Sequence, residues 1–356
     1  MSRALSITTV ARTATVACLL LGCALDAHAR QTEAPDTLPT LRNANALVDA
    51  LTENYPLSMR RDAIGGTARI QVRVNTDGKV DSTWVAYSSG LYGLDRAASR
   101  TARSARFDPA RRDGAKVPAW TELPFRFSTG HERNPEPQHV PVLNRAEVVA
   151  GSAAHRPRDL VASGTGASVG FRLDIDSAGM PVRISLVETS CMDGPDAAAL
   201  AIVRQLTFAP DHDGIGATRP TYASVHFGMD SLAVRLVGDA LRPSRDTTTS
   251  DSSSRENSNA KSKRPLLTNR PHIARLLEQY YPPDLRALGV GGDVHVLIHI
   301  DEQGAVTYKE VSRSSGECKL DAAALLVTRN MRFEPGVNRG ERVPVWVEIP
   351  IYFRSR

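Results

Sequence analysis

The chain has 356 residues, 41% of them hydrophobic and 23% charged, with a formal net charge of +5. That is enough apolar material for two or three domains, each with a core of its own. The positive excess is spread over scattered arginines and forms no run, which excludes a nucleic-acid-binding arm.

The amino terminus reads as an export signal. Arg3 and Arg12 are its charged end, Thr13 to Leu25 is a short apolar run, and Ala27-His28-Ala29 is an A-x-A cleavage pattern. A spanning helix needs roughly 20 apolar residues, so residues 1–29 are expected to be removed. No transmembrane helix then remains, and the protein is expected in the periplasm. Leu20-Leu21-Gly22-Cys23 offers a second reading as a lipobox, in which residues 1–22 leave and Cys23 is lipidated, anchoring the protein to a membrane facing the periplasm. Beyond the signal only Cys191 and Cys318 remain, and two cysteines so far apart read as free thiols.

Self-similarity organises the rest. From Gly78, Gly179 and Gly304, an aspartate follows 17 positions later (Asp95, Asp196, Asp321). A phenylalanine follows 12 positions after that (Phe107, Phe208, Phe333), and a proline two further on (Pro109, Pro210, Pro335). A period above 100 residues means three small domains and not solenoid turns. They are expected at residues 45–128, 144–235 and 271–356. Linkers are expected at 129–143, with Pro135, Pro137 and Pro141, and at 236–270, with the polar run Thr247 to Ser254.

Each unit opens with a short helix, as at His272 to Gln279, where Ile273, Leu276 and Leu277 share a face. Tyr55-Pro56 and Tyr281-Pro282 end it, because the residue before proline is driven from the helical region. The middle copy has Arg156-Pro157 instead and has drifted. An alternating strand follows, with Val294, Val296, Ile298 and Ile300 on one side and His295, Leu297 and His299 on the other. The turns carry Gly78, Gly179 and Gly304 at positions suited to positive φ. A second strand, Val80 to Tyr87 in the first copy, leads through Ser88-Ser89-Gly90 to a helix. Asp95 suits the amides and dipole of that helix's start. Ala97, Ala98, Thr101, Ala102 and Ala105 keep one of its faces small. In the last strand, Val343 to Phe353, odd positions are apolar while Pro344 and Pro350 cannot donate to a ladder, so it is expected at a sheet edge. Pro118, Trp120, Glu122 and Pro124 repeat it in the first copy. The fold class is α+β, three tandem modules each with a small three-stranded antiparallel sheet packed by one or two helices.

Tyr-Pro, Gly-Gly, the D-G hairpin, Ser-Ser-Gly, Leu-Asp-x-Ala-Ala, Phe-x-Pro and the closing Pro-Ile-Tyr-Phe together resemble the C-terminal domain of TonB energy transducers. The first and third copies carry nearly the whole pattern. The resemblance implies a domain that grips an extended receptor segment, the TonB box, by adding it as a strand. By that analogy Val345, Trp346, Val347 and Glu348 offer the edge, with Tyr281 and Pro282 near it. Trp120, Tyr55 and Pro56 are the counterparts in the first copy. The implied partners are envelope proteins such as TonB-dependent outer-membrane receptors. A transducer also has an uncleaved membrane helix and a long proline-rich span, which the sequence does not show, so an adaptor role is expected. The alternative is a scaffold that binds peptidoglycan through its basic surface.

Catalytic patterns are weak. Gly166-Ala167-Ser168-Val169-Gly170 reads as G-x-S-x-G, but the repeat register puts it at the start of a strand and not at a nucleophile elbow. His295 and His299 on one strand stand about 13 Å apart, too far for one ion, and are expected to face solvent. Asp211-His212-Asp213 lies in a polar loop. No catalytic residue, metal site or cofactor is expected.

Overall fold

The triple register has a backbone cause. Gly78, Gly179 and Gly304 have φ of 79°, 85° and 82°, the left-handed region that glycine enters without penalty. A Cβ at these positions would fall 2.0, 2.0 and 1.8 Å from the carbonyl oxygens of Phe107, Phe208 and Phe333. The same phenylalanines donate their N–H groups to the three glycine carbonyls at 2.8, 2.9 and 2.9 Å. Each hairpin turn is thereby bonded to the chain that leaves the following helix.

The aspartates work differently from the expectation. They lie in first helical turns, but their carboxylates bond the loop before the helix and not the helix amides. Asp95 accepts from the Ser88 hydroxyl at 2.5 Å and the Ser89 N–H at 2.8 Å. Asp196 accepts from the Thr189 hydroxyl at 2.5 Å and the Ser190 N–H at 2.9 Å. Asp321 accepts from the Ser314 hydroxyl at 2.5 Å and the Ser315 N–H at 2.9 Å. Burial pushes the Asp95 and Asp321 carboxyls up, and these loop donors pull them back.

The computed structural model describes residues 35–128, 137–211, 218–241 and 262–354. The export signal with Cys23, parts of both linkers, His212 and Asp213 lie outside the described residues.

The first module contains α1 (Ala44–Asn54), α2 (Leu57–Arg61), β1 (Gly66–Val74), β2 (Val80–Tyr87), α3 (Tyr92–Arg103) and β3 (Ala119–Phe127). The middle module contains α4 (Arg145–Gly151), α5 (Arg158–Ser163), β4 (Ala167–Ile175), β5 (Pro181–Glu188), α6 (Asp193–Val203), β6 (Arg219–Phe227) and β7 (Leu232–Leu236). The third contains α7 (Arg270–Tyr280), α8 (Pro283–Ala287), β8 (Gly292–Ile300), β9 (Val306–Arg313), α9 (Cys318–Arg329) and β10 (Val345–Phe353).

The sheets are antiparallel, in the orders β2-β1-β3, β7-β6-β4-β5 and β9-β8-β10. Alternation holds as read, with Val294, Val296, Ile298 and Ile300 buried beneath α9. Ala97, Ala98, Thr101, Ala102 and Ala105 are buried as well. The middle sheet departs from the three-stranded expectation through β7, a fourth strand. Two short helices, α2 and α8, follow the Tyr-Pro elements where the sequence reading had only a stop.

From Pro35 on the chain clusters as one compact unit, so the modules do not stand apart. A disulfide joins Cys191 to Cys318, with Cα atoms 5.2 Å apart across 127 residues of sequence. The free-thiol expectation is therefore corrected: packing of the middle module on the third brings distant positions together. Cys191 takes the place of Gly90 and Gly316 in the loop before the helix and shares their positive φ, 63° against 84° and 89°.

Gly304→Ala tests the turn. The methyl would meet Phe333 O in a backbone region that disfavours it, so a loss of about 2 kcal/mol or more is expected in thermal or denaturant unfolding. Wild-type stability would contradict the account.

Candidate functional site

A sheet edge is a row of unpaired backbone groups, and three of the edges here are covered within the chain. The outer edge of β2 is covered by residues 237–241. Ser88 N–H donates to Asp239 O at 2.9 Å, Gly238 N–H to Ser88 O at 2.9 Å, and Leu241 N–H to Val85 O at 2.8 Å. The outer edge of β9 is covered by 164–166, with Gly166 N–H donating to Lys309 O at 2.8 Å and Lys309 N–H to Gly164 O at 2.9 Å. In the middle module β7 pairs along β6 from Ala223 to Phe227. Among the described residues β3 and β10 each have a strand partner on one side only, and β5 is likewise an edge.

Strands β3 and β10 carry the residues singled out from sequence. Trp120 is 47% exposed and Trp346 40%. Val345 and Val347 are half-buried and pack on the third core. Trp346 lies 4.9 Å from the His299 ring and 5.4 Å from that of Tyr308. Glu348 accepts from Arg100 at 2.5 Å and also from the Ser312 hydroxyl. Tyr55 and Tyr281 are core residues, edge-on to Phe127 and Phe353 at 5.1 and 5.4 Å. Their hydroxyls donate to Ile64 O and Val290 O, both at 2.9 Å. Phe127 and Phe353 lie seven residues from the two tryptophans, about 23 Å along an extended strand, so Tyr-Pro and tryptophan are not brought together. Pro56 and Pro282 are half-buried beside their tyrosines.

Prolines shape both open edges. Pro124 and Pro350 pair opposite Arg69 and His295, and a strand tolerates proline where its missing N–H would face outward. Backbone groups alternate sides along a strand, so Trp120 and Glu122, like Trp346 and Glu348, present theirs to the open side.

The weak catalytic patterns resolve into packing. Ser168 is the second residue of β4, opposite His226. A Cβ at Gly166 would fall 1.9 Å from the Tyr308 hydroxyl, and one at Gly170 would fall 2.7 Å from Leu91 Cδ2. The glycines of G-x-S-x-G therefore admit neighbouring modules. His295 and His299 are half-buried, not solvent-facing as expected; His299 shares a 2.7 Å hydrogen bond with Thr307.

Sequence reasoning missed the junction that fixes the two edges in space. The start of α3 wedges between the helix-free faces of the middle and third sheets. Tyr92 stacks on His226 at 4.4 Å, and the Arg235 guanidinium lies 4.4 Å over the Tyr92 ring. Glu310 accepts from Tyr92 at 2.9 Å, from Tyr308 at 2.8 Å and from Arg96. Burial works to raise the Glu310 carboxyl, while His226, Arg96 and the two hydroxyls work to lower it, and it is held below the ordinary value. Burial works in the same sense on Glu348, and Arg100 and Ser312 bring it down to about 2. Burial takes His226 down to about 4, so it is neutral. His226, Glu310 and Glu348 sit at polar positions of alternating strands, which in sequence look solvated.

Glu188, on β5, is the unbalanced charge of this junction. It lines a cavity of about 280 Å³ with Ser168, Glu310 and Arg313. Its Oε2 is buried without a partner, and burial raises its carboxyl to about 7. The folded state thus holds this proton more tightly than the unfolded chain, and stability from this group falls as pH rises from about 4.5 to about 7. His226 acts oppositely over much of that range, so the difference between variants isolates Glu188. Glu188→Gln should gain stability over wild type progressively across that window, reaching roughly 3 kcal/mol above it. Melting curves at pH 5 and pH 8 check this, and an equal offset at both would contradict it.

Two segments of the chain, 52–129 and 278–355, match the family model described as Gram-negative bacterial TonB protein C-terminal. Proteins named Protein TonB from two strains of Xanthomonas campestris pv. campestris are 33% identical over 73 residues, 20% of this chain and 33% of each relative. The match thus spans about a third of the length of those curated relatives. No solved structure matches. The matched segments coincide with the first and third modules, whose open strands carry Trp120 and Trp346. Two segments of the chain thus match the TonB C-terminal domain, on either side of a middle module whose sheet adds a fourth strand to the same order.

Proposed function

We propose that this chain is an exported, periplasmic protein-binding module. It docks extended segments of envelope proteins, TonB-dependent receptors among them, by strand addition at β3 and β10. It serves as an adaptor in TonB-linked transport. One observation carries the reading: at the corresponding edge of the middle module the chain adds a strand to itself, five residues of β7 pairing antiparallel with Ala223 to Phe227. The architecture thus accepts a fourth strand where the matched domains leave the place open. Main-chain bonds would supply affinity in such a complex, and exposed aromatics beside the ladder would supply specificity.

The signal pattern at Ala27-His28-Ala29, or lipidation at Cys23, would deliver the chain to that compartment. No helix among the described residues is long and apolar enough to cross a membrane. Protein interaction is the role that the TonB C-terminal family brings to both modules.

Fluorescence anisotropy of a labelled TonB-box peptide with the full chain tests the reading. Binding is expected, weakened about tenfold when Trp120 and Trp346 are both changed to alanine, as for aromatic anchors at interfaces. No binding, or unchanged affinity in the double variant, would sink it.

A further inference from the structure

The open edges of the two matched modules belong to one body. The β2 edge is closed by 237–241 and the β9 edge by 164–166, both from the middle module. The middle module closes its own β6 edge with β7. This module, outside the family match, thus lends short extended segments to its neighbours and keeps its own corresponding edge shut. The Cys191–Cys318 disulfide and the ion pairs of Arg96 with Glu310 and Arg100 with Glu348 hold the neighbours in a fixed arrangement.

The two edges left open are also alike in detail. Each has a tryptophan and a glutamate with outward backbone groups, followed two positions later by a proline: Trp120, Glu122 and Pro124, then Trp346, Glu348 and Pro350. The middle module has Ser224 where the others have proline, and there β7 runs over that position, Ser224 pairing with Arg235. Proline offers no donor, so on β3 and β10 the uninterrupted stretch lies upstream, over 119–123 and 345–349.

We infer that the chain is a two-site receptor: its partner presents two extended, proline-free segments of about five residues with alternating apolar side chains, one for 119–123 and one for 345–349. The inference rests on the strand-docking reading above. The segment chemistry follows from β7, where Leu232, Val234 and Leu236 point into the core cluster of the middle module. Residues 119, 121 and 123, and 345, 347 and 349, are the inward positions that such a strand would extend. Two sites held rigidly on one body raise the effective concentration for the second segment once the first is bound, so a linked partner is favoured without any new contact.

The probe is a capped synthetic peptide with the sequence of residues 231–237, titrated into the full chain by calorimetry. Two peptides per chain are expected. Trp120→Pro and Trp346→Pro each remove one outward donor and should each leave a stoichiometry of one; the double variant should bind none. Trp120→Ala and Trp346→Ala keep the donors and should retain two weakened sites. Circular dichroism melts of each variant separate lost binding from lost folding. Two copies of the peptide joined by a Gly/Ser linker able to span the sites should bind at least tenfold tighter than one. One peptide per wild-type chain, or no gain on linking at any linker length, would overturn the inference while leaving strand docking intact. No binding of this peptide or of a TonB-box peptide would overturn both.

Discussion

Glu310 is 4% exposed and lies where all three modules meet. A carboxylate at that depth is tolerated only with close, well-placed partners, because desolvating an unpaired charge costs several kcal/mol. The partners come from different modules: Arg96 and Tyr92 from the first, Tyr308 from the third, with the His226 ring of the middle module 3.6 Å away. The first and third modules cannot separate without leaving charge or a buried hydroxyl unsatisfied, and the middle module closes the site with the His226 ring. Such a pair adds little net stability over an apolar substitute, but it specifies one arrangement, since a shifted α3 would strand both Arg96 and Glu310. The small residues Gly93, Gly166 and Gly170 follow from this need, for each admits a neighbour that a Cβ would strike.

The fixed arrangement decides which edges stay open. Three tandem modules with free edges would invite pairing between copies. Here the middle module covers one edge of each neighbour and one of its own, and prolines interrupt the donors on β3 and β10. On the two matched modules what remains is two short stretches of pairing-competent backbone beside exposed tryptophans. That is a narrow opening for an extended segment and a poor one for indiscriminate aggregation.

Much of the fold was legible in the sequence because backbone chemistry leaves a rigid mark. Gly304 and Phe333 cannot move relative to each other when a carbonyl occupies the space of a missing Cβ, and Asp321 cannot move relative to Ser314 and Ser315 when it bonds both. The edge strand was legible from Pro350 and from the alternation of Val345, Val347 and Ile349. The contacts between modules were not. Tyr92, Arg96 and Glu310 obey no period, and their partners lie more than 200 positions away. One trace was present: Cys191 stands where the other copies have glycine, in a conformation that side chains avoid. A residue placed against conformational preference needs a reason, and the reason is Cys318.

The most direct test of the account is residue-resolved hydrogen exchange on the intact chain. The covered edges predict slow exchange at Ser88, Gly166, Lys309 and Leu241, near the limit set by global unfolding. The open edges predict fast exchange at Trp120, Glu122, Trp346 and Glu348, with their inward neighbours protected. Equal protection of both sets would mean that something already pairs with β3 and β10. Fast exchange at Ser88 and Lys309 would mean that the middle module does not close its neighbours' edges, and the single fixed body would fall with it.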